Sequence, residues 1–125
     1  METMIVAVPS VMPGGLESQV GEHFGHCEIY TLVEIGGSEV VSVSTLPNLP
    51  HEHGGCMAPV QYLAEKGVKA LIAGGMGMRP LMGFKQMGID VFHGGDSESV
   101  AQAVQALMAG KLMRFSTDFT CGGCS

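Results

Sequence analysis

Val68-Lys69-Ala70-Leu71-Ile72-Ala73-Gly74-Gly75-Met76-Gly77-Met78-Arg79-Pro80, carried on to Gly88-Ile89-Asp90-Val91-Phe92-His93-Gly94-Gly95, is the stretch that decides the fold. Val68 to Ala73 is an apolar run of strand length, and a glycine loop ends it. Pro80 suits the first turn of a helix carrying Leu81, Met82 and Phe84, with Gly88 just past its end. Ile89 to Phe92 is a second short apolar strand. Strand, helix, strand from residue 68 to residue 92 is a parallel crossover of right-handed sense, so helices must cover the sheet.

Outward from this unit the pattern continues. Downstream, Val100, Ala103, Val104, Leu107 and Met108 repeat at helical spacing; Asp96 or Ser97 is the expected cap and Gly110 the stop. Upstream, Met57, Val60, Leu63 and Ala64 share one helical face, and Gly67 follows. Met4 to Val8 is a buried strand stopped by Pro9-Ser10. Glu28 to Ile35 and Ser38 to Leu46 are rich in Ile, Val, Thr and Tyr, and Gly36-Gly37 between them marks a hairpin. The order β-β-β-α-β-α-β-α predicts a single-domain α/β fold, a five-stranded mixed sheet covered by helices. Residues 1–110 form the domain expected to bind a cofactor or cluster, and residues 111–125 are expected to be a mobile C-terminal tail carrying CGGC.

Composition narrows the function. Of 125 residues, 46% are hydrophobic and 14% charged, so a packed core forms within one domain. Six Lys and Arg stand against 12 Asp and Glu, a formal net charge of -6. A nucleic-acid binder needs a basic surface, which this balance does not supply. No apolar run reaches the ~18 residues of a membrane span, and the first residues lack the features of a signal peptide. The expectation is a cytoplasmic protein with neither a nucleic-acid nor a membrane partner. Four Cys in a reducing compartment point to metal or redox chemistry before disulfides.

The polar residues concentrate in loops. If the first three strands form a meander and the last two run parallel to the first, one rim of the sheet collects every loop that carries chemistry. It receives Ser10, the segment Gly21-Glu22-His23-Phe24-Gly25-His26-Cys27, the segment His51-Glu52-His53-Gly54-Gly55-Cys56, the loop Gly74 to Pro80, and His93. Open α/β sheets place ligands at such a rim. Thiol and imidazole together favour Zn, Cu, Fe or iron–sulfur species over Mg or Ca. Their spacings match no zinc-finger pattern. Cys56 lies at the entry to a helix, where the thiolate form is favoured. GGMGMRP lacks the Lys-Ser/Thr of a phosphate-binding loop and misses the last position of the dinucleotide fingerprint. Its N–H groups, helix end and Arg79 still suit an anion. Cys121-Gly122-Gly123-Cys124 has C-x-x-C spacing, compatible with metal hand-off or thiol redox chemistry. No nucleophile with base and orienting group is identifiable, so no catalytic residues are assigned and the chain is read as a non-enzyme.

A strand ending Ala-Val-Pro-Ser, then EHFGHC, HGGC before a helix, ALIAGGMGMRP and Gly-Ile-Asp-Val together resemble the dinitrogenase iron–molybdenum cofactor biosynthesis family. That family includes the nitrogenase accessory proteins X and Y, the C-terminal part of protein B, and stand-alone relatives such as the orange molybdenum–copper protein of anaerobes. The likeness spans about residues 4 to 108. It implies a ribonuclease-H-like fold and a non-catalytic carrier of an anionic metal–sulfur cluster, of Mo/Fe/S or Mo/Cu/S type, in cluster assembly or transfer. It implies a cofactor-binding set of His23, Phe24, Gly25, His26, Gly54, Gly75, Gly77, Met78 and Arg79, to which the rim topology adds His93. Cys27, His51, His53, Cys56, Cys121 and Cys124 are the metal-ligand candidates. Implied partners are the metallocluster, cluster-assembly proteins or an Mrp/ParA-type ATPase. The CGGC tail stands outside the family core. Two alternatives remain open: a thiol redox protein working through that tail, and a metal-free interaction module for an ATPase.

Overall fold

A computed structural model describes residues 3–12, 14–20, 29–37, 39–47, 58–74, 76–94, 98–114 and 120–121, with backbone alone at 58–59, 76–80 and 120–121. The elements in chain order are β1 (Thr3–Ser10), β2 (Ile29–Gly36), β3 (Glu39–Pro47), α1 (Ala58–Glu65), β4 (Val68–Ala73), β5 (Met76–Gly77), α2 (Met78–Gln86), β6 (Asp90–His93), α3 (Val100–Met108) and β7 (Thr120–Cys121). The main sheet has five strands in the order β3-β2-β1-β4-β6. The β3/β2 and β2/β1 pairs are antiparallel, whereas β1/β4 and β4/β6 are parallel. This is the mixed α/β architecture expected from the sequence. The two-residue strands β5 and β7, which no sequence pattern announced, form a separate parallel pair.

Period-two alternation divides the core between the faces of the sheet. On one face Ala7, Tyr30, Leu71 and Ala73 pack with Val60 and Leu63 of α1 and Leu81 and Phe84 of α2. On the other, Val6, Val8, Val33, Ile35, Ala70 and Ile72 pack with Val100, Ala103 and Val104 of α3. Val68 and Leu71 share a face despite their odd spacing. A register shift lies between Ile5 and Val6, where Ile5 pairs with Val68 and Val6 with Ala70, so the extra residue Lys69 inverts the parity. β3 is an edge strand, with Val40, Val41 and Val43 exposed.

Each helix ends on a glycine in the left-handed region: Gly67 (φ 84°), Gly88 (φ 77°) and Gly110 (φ 72°). The start of α3 differs from expectation. Its cap is Ser99, whose side chain accepts from the Gln102 N–H, and neither Asp96 nor Ser97 takes that place. The reason is tertiary. Strand-like bridging of Gln19 to Ser99 holds Ser99 extended, so the first helical residue falls at Val100.

Candidate functional site: the carboxyl rim of the sheet

The strand pairings put five residues in one row. Ser10 lies opposite Ile29, Ile29 opposite Pro47, and Ala73 beside His93. Because Ala7 pairs with Leu71 in parallel, the ends of β1 and β4 coincide as well. The ends of β1, β3, β4 and β6 and the start of β2 therefore share an edge, as the assumed strand directions required. The helices that follow β3, β4 and β6 all begin there and run away from it, so their positive ends face the rim.

The connecting segments are anchored at this edge. Val20 bridges to Ser10 and Ile29 pairs with Ser10, so the residues on either side of 21–28 meet at this edge. Residues 48–57 start from Pro47, whose carbonyl accepts from the Tyr62 hydroxyl of α1 at 3.1 Å. Residues 95–97 run between Gly94, whose N–H donates to the Ala73 carbonyl at 2.9 Å, and Glu98, whose carbonyl accepts from the Val20 N–H at 3.2 Å.

Residues 11–20 form a wall on the α3 side. The Gly15 N–H donates to Thr31 Oγ1 at 3.0 Å, Thr31 Oγ1 lies 2.8 Å from Ser10 Oγ, and Ser10 Oγ donates to the Val8 carbonyl at 2.7 Å. The single Ser10 proton is committed to Val8, so Thr31 is the donor to Ser10 and the three bonds run in one direction. Ser10 and Thr31 are both buried. Periodicity had marked Thr31 only as a strand residue. A hydroxyl inside an otherwise apolar strand, next to a strand-ending Ser, was the available signal. The same wall closes the end of α3: Val100 N–H donates to Ser18 O and Ala101 N–H to Leu16 O, both at 2.9 Å. With Gln102 N–H on Ser99 Oγ and Ala103 N–H on Ser99 O, the first N–H groups of α3 are taken. That helix end holds no place for an anion.

The candidate residues fall as follows. His23, Phe24, Gly25, His26 and Cys27, then His51, His53, Gly54 and Cys56, and also Gly75 and Cys124, lie outside the described residues. Gly77 is in β5, and Met78 and Arg79 open α2. His93 ends β6, half-buried, with its backbone N–H donating to the Met113 carbonyl at 2.8 Å. Cys121 sits in β7, in register with Gly77. Among the described residues no three His, Cys, Asp or Glu side chains converge on a metal-sized point, and no helix is long and apolar enough to cross a membrane.

Charge is segregated along the strand axis. Lys85 is in the last turn of α2, Lys66 and Lys111 follow α1 and α3, and Lys69 is at the start of β4, so all four lysines lie toward the end opposite the rim. Arg114 pairs with Asp90 at 3.0 Å. Arg79 has its backbone at the start of α2 at the rim, and the Arg114 backbone bridges Phe92, one residue short of His93. Glu17 and Glu98 are exposed near the rim. A cavity of about 420 Å³ lined by Leu81, Lys85, Gly88, Ile89, Asp90 and Arg114 lies toward the other end of β6, away from these loops.

An open mixed sheet that gathers its connections at the carboxyl ends of its parallel strands defines the class: a small α/β domain with a rim suited to ligand binding. Residues 4–110 match the family described as Dinitrogenase iron-molybdenum cofactor, and the chain belongs to that family. An uncharacterized protein of Methanocaldococcus jannaschii is 30% identical over 100 residues, covering 78% of this chain and 84% of its own. The solution structure of a Thermotoga protein, assigned provisionally to NifB, superposes with TM-score 0.76 at 30% identity, covering 96% of this chain and 99% of that one. The apo orange protein of Desulfovibrio gigas shares the fold with TM-score 0.78 at 24% identity, over 90% of this chain and 93% of its own.

Proposed function

We propose that this protein is a non-catalytic carrier that holds an anionic metal–sulfide cluster, of Mo/Fe/S or Mo/Cu/S type, at the carboxyl rim and passes it between cluster-assembly proteins. The observation that carries the reading is the strand topology. It brings the residues flanking 21–28, 48–57 and 95–97, and the end of β4 that leads to Gly74, to one edge. Those segments and the strand end beside them contain all five His and two of the four Cys. Membership of an iron–molybdenum cofactor family supports it.

A polynuclear sulfide is large, soft and anionic. Cys27, Cys56, His26, His51 and His53 offer soft donors. Arg79 and the N–H groups that open α2 answer negative charge, and the glycines of HFG, HGGC and GGMG leave room for bulk. A carrier must also let go, which favours few direct ligands and many hydrogen bonds. His23, Phe24 and His93 complete the rim set in this reading.

The test begins with protein purified anaerobically and assayed for Mo, Fe, Cu and acid-labile sulfide. It continues with retention of a tetrathiomolybdate–copper probe through desalting. A charge-assisted hydrogen bond contributes about 1.5–3 kcal/mol, so Arg79→Ala is expected to weaken retention roughly tenfold to a hundredfold with an unchanged urea midpoint. Unaltered retention in that variant removes Arg79 from the site, and a wild-type protein that retains no cluster under any loading condition refutes the reading.

A further inference from the structure

The cavity of about 420 Å³ at the far end of β6 has no part in the rim chemistry. Three segments build it. Leu81 and Lys85 lie one turn apart on α2 and so share a helical face. Gly88, Ile89, Asp90 and Val91 carry the chain from the end of α2 into β6. Arg114 comes from the segment after α3, beyond residue 110 where the family match ends. That segment is held against the outer edge of β6, where the His93 N–H donates to the Met113 carbonyl at 2.8 Å and Arg114 bridges to Phe92.

The lining has two kinds of surface. Leu81, Ile89 and Val91 are buried and belong to the core between the sheet and α2, so the floor of the cavity is apolar. An added Cβ at Gly88 would meet nothing within 4 Å, so the space beside the turn is open. Charge lies at the mouth. Lys85 is exposed, and its ammonium has no partner among the described residues. The Arg114 guanidinium is fixed in place by Asp90 at 3.0 Å and by the Phe92 ring, whose centroid is 5.7 Å away. Asp90 takes one bond from Nη1, which leaves further guanidinium donors for a second acceptor. Lys85 and Arg114 against Asp90 give the lining a single net positive charge, in a chain whose formal net charge is -6.

We infer that this cavity binds a small amphipathic carboxylate, a monoanion with a short apolar body. The carboxylate is held by the Lys85 ammonium and the free donors of Arg114, through charge-assisted hydrogen bonds. The apolar body lies on Leu81, Ile89 and Val91. Sites for small organic molecules are clefts of roughly 300–1,000 Å³ with an apolar lining and a few polar groups, and this cavity has both properties. A neutral apolar molecule would leave Lys85 unmatched, and an inorganic dianion would leave the apolar floor wet and exceed the one positive charge. The site is separate from the rim, so its test stands apart from the carrier reading.

The experiment titrates full-length, isotope-labelled protein with hexanoate and follows amide and arginine side-chain shifts by NMR. Hexanol, acetate and sulfate are titrated in parallel at matched ionic strength. The variants are Lys85→Gln and, as a control for general charge, Lys69→Gln, an exposed lysine outside the lining; circular dichroism verifies folding. Hexanoate is expected to shift Gly88 to Val91 and Arg114 before any other group. Hexanol, which lacks the charge, and acetate, which lacks four methylenes, should each bind about tenfold more weakly. Lys85→Gln should weaken hexanoate binding roughly fivefold and Lys69→Gln should leave it unchanged. Hexanoate shifts that are absent, or spread evenly over the exposed lysines, overturn the inference. So does hexanol or sulfate binding as tightly as hexanoate, or a Lys85→Gln protein that binds like wild type.

Discussion

Replacing Thr31 by Val tests whether the wall of the rim is held by the hydroxyl relay. Val fits the same space without an oxygen. The Gly15 N–H, 3.0 Å from Thr31 Oγ1, then loses its acceptor, while Ser10 Oγ keeps the Val8 carbonyl but loses its incoming donor. Leaving a buried donor unpaired costs about 1–3 kcal/mol. Thr31 and Ser10 are buried but Gly15 is only half-buried, so water recovers part of that cost and the middle of the range applies. A loss of about 2 kcal/mol corresponds to a drop in Tm of roughly 8 °C for a chain of this length.

Urea unfolding would give the free-energy change, and hydrogen exchange at the Gly15 amide would give its local part. Thr31→Ser retains the relay and removes one methyl group, so it is expected to lose only about 0.8 kcal/mol. In a cycle with Ser10→Ala the two losses should couple by at least about 0.5 kcal/mol, because both substitutions break the same chain of bonds. A Thr31→Val protein that melts within roughly 2 °C of wild type, with Gly15 exchange unaltered, would refute the reasoning.

Two further substitutions test the backbone geometry around the site. Gly14 (φ 82°) and Gly110 (φ 72°) are both left-handed, but an added Cβ at Gly14 would come within 2.8 Å of Thr45 Cγ2, whereas at Gly110 it meets open space. Gly110→Ala should therefore cost about 1 kcal/mol and Gly14→Ala about 3 kcal/mol, measured as urea midpoints; equal losses would show that the β3 contact is not felt. Ser99→Ala removes the acceptor for Gln102 N–H and should cost about 1 kcal/mol, while Ser99→Asp should be near neutral; thermal melts of both variants check it.

The relay and the cap have one consequence in common. Residues 11–20 tie the end of β1 to the start of α3, so the wall and the helix end stabilise each other and neither is open to a ligand. In the proposed reading, the helix ends left for an anion are those of the helices that begin at Ala58 and Met78. α1 and α2 pack on the face of the sheet opposite α3.

Much of this was legible in the chain itself. The apolar runs at Met4–Val8 and Val68–Ala73, the helical spacing of Val100, Ala103 and Val104, and glycines after each helix are local signals. They need only side-chain period and backbone sterics to be read. Assuming a meander for the first three strands, with the last two parallel to the first, then predicts a shared rim, and the observed pairings put Ser10, Ile29, Pro47, Ala73 and His93 in that row.

Other features depend on which segments meet. Ser99 is the cap of α3 because Gln19 bridges to it, a contact spanning most of the chain that no local preference among Asp96, Ser97 and Ser99 encodes. The parity change at Lys69 arises from pairing with β1 and is invisible in the β4 sequence. The Gly15–Thr31–Ser10 relay needs three residues from separate strands and a loop. Pairing of Thr120–Cys121 with Met76–Gly77 involves two residues on each side, too short for any periodicity to register. Sequence by itself determined the main strands and helices and their order, because these follow from periods of two and 3.6 residues; the rim followed once strand directions were assumed. Only the tertiary structure decided the strand directions, which loop walls the rim and that Thr120–Cys121 pairs with Met76–Gly77, because those contacts are made by short segments distant in the chain.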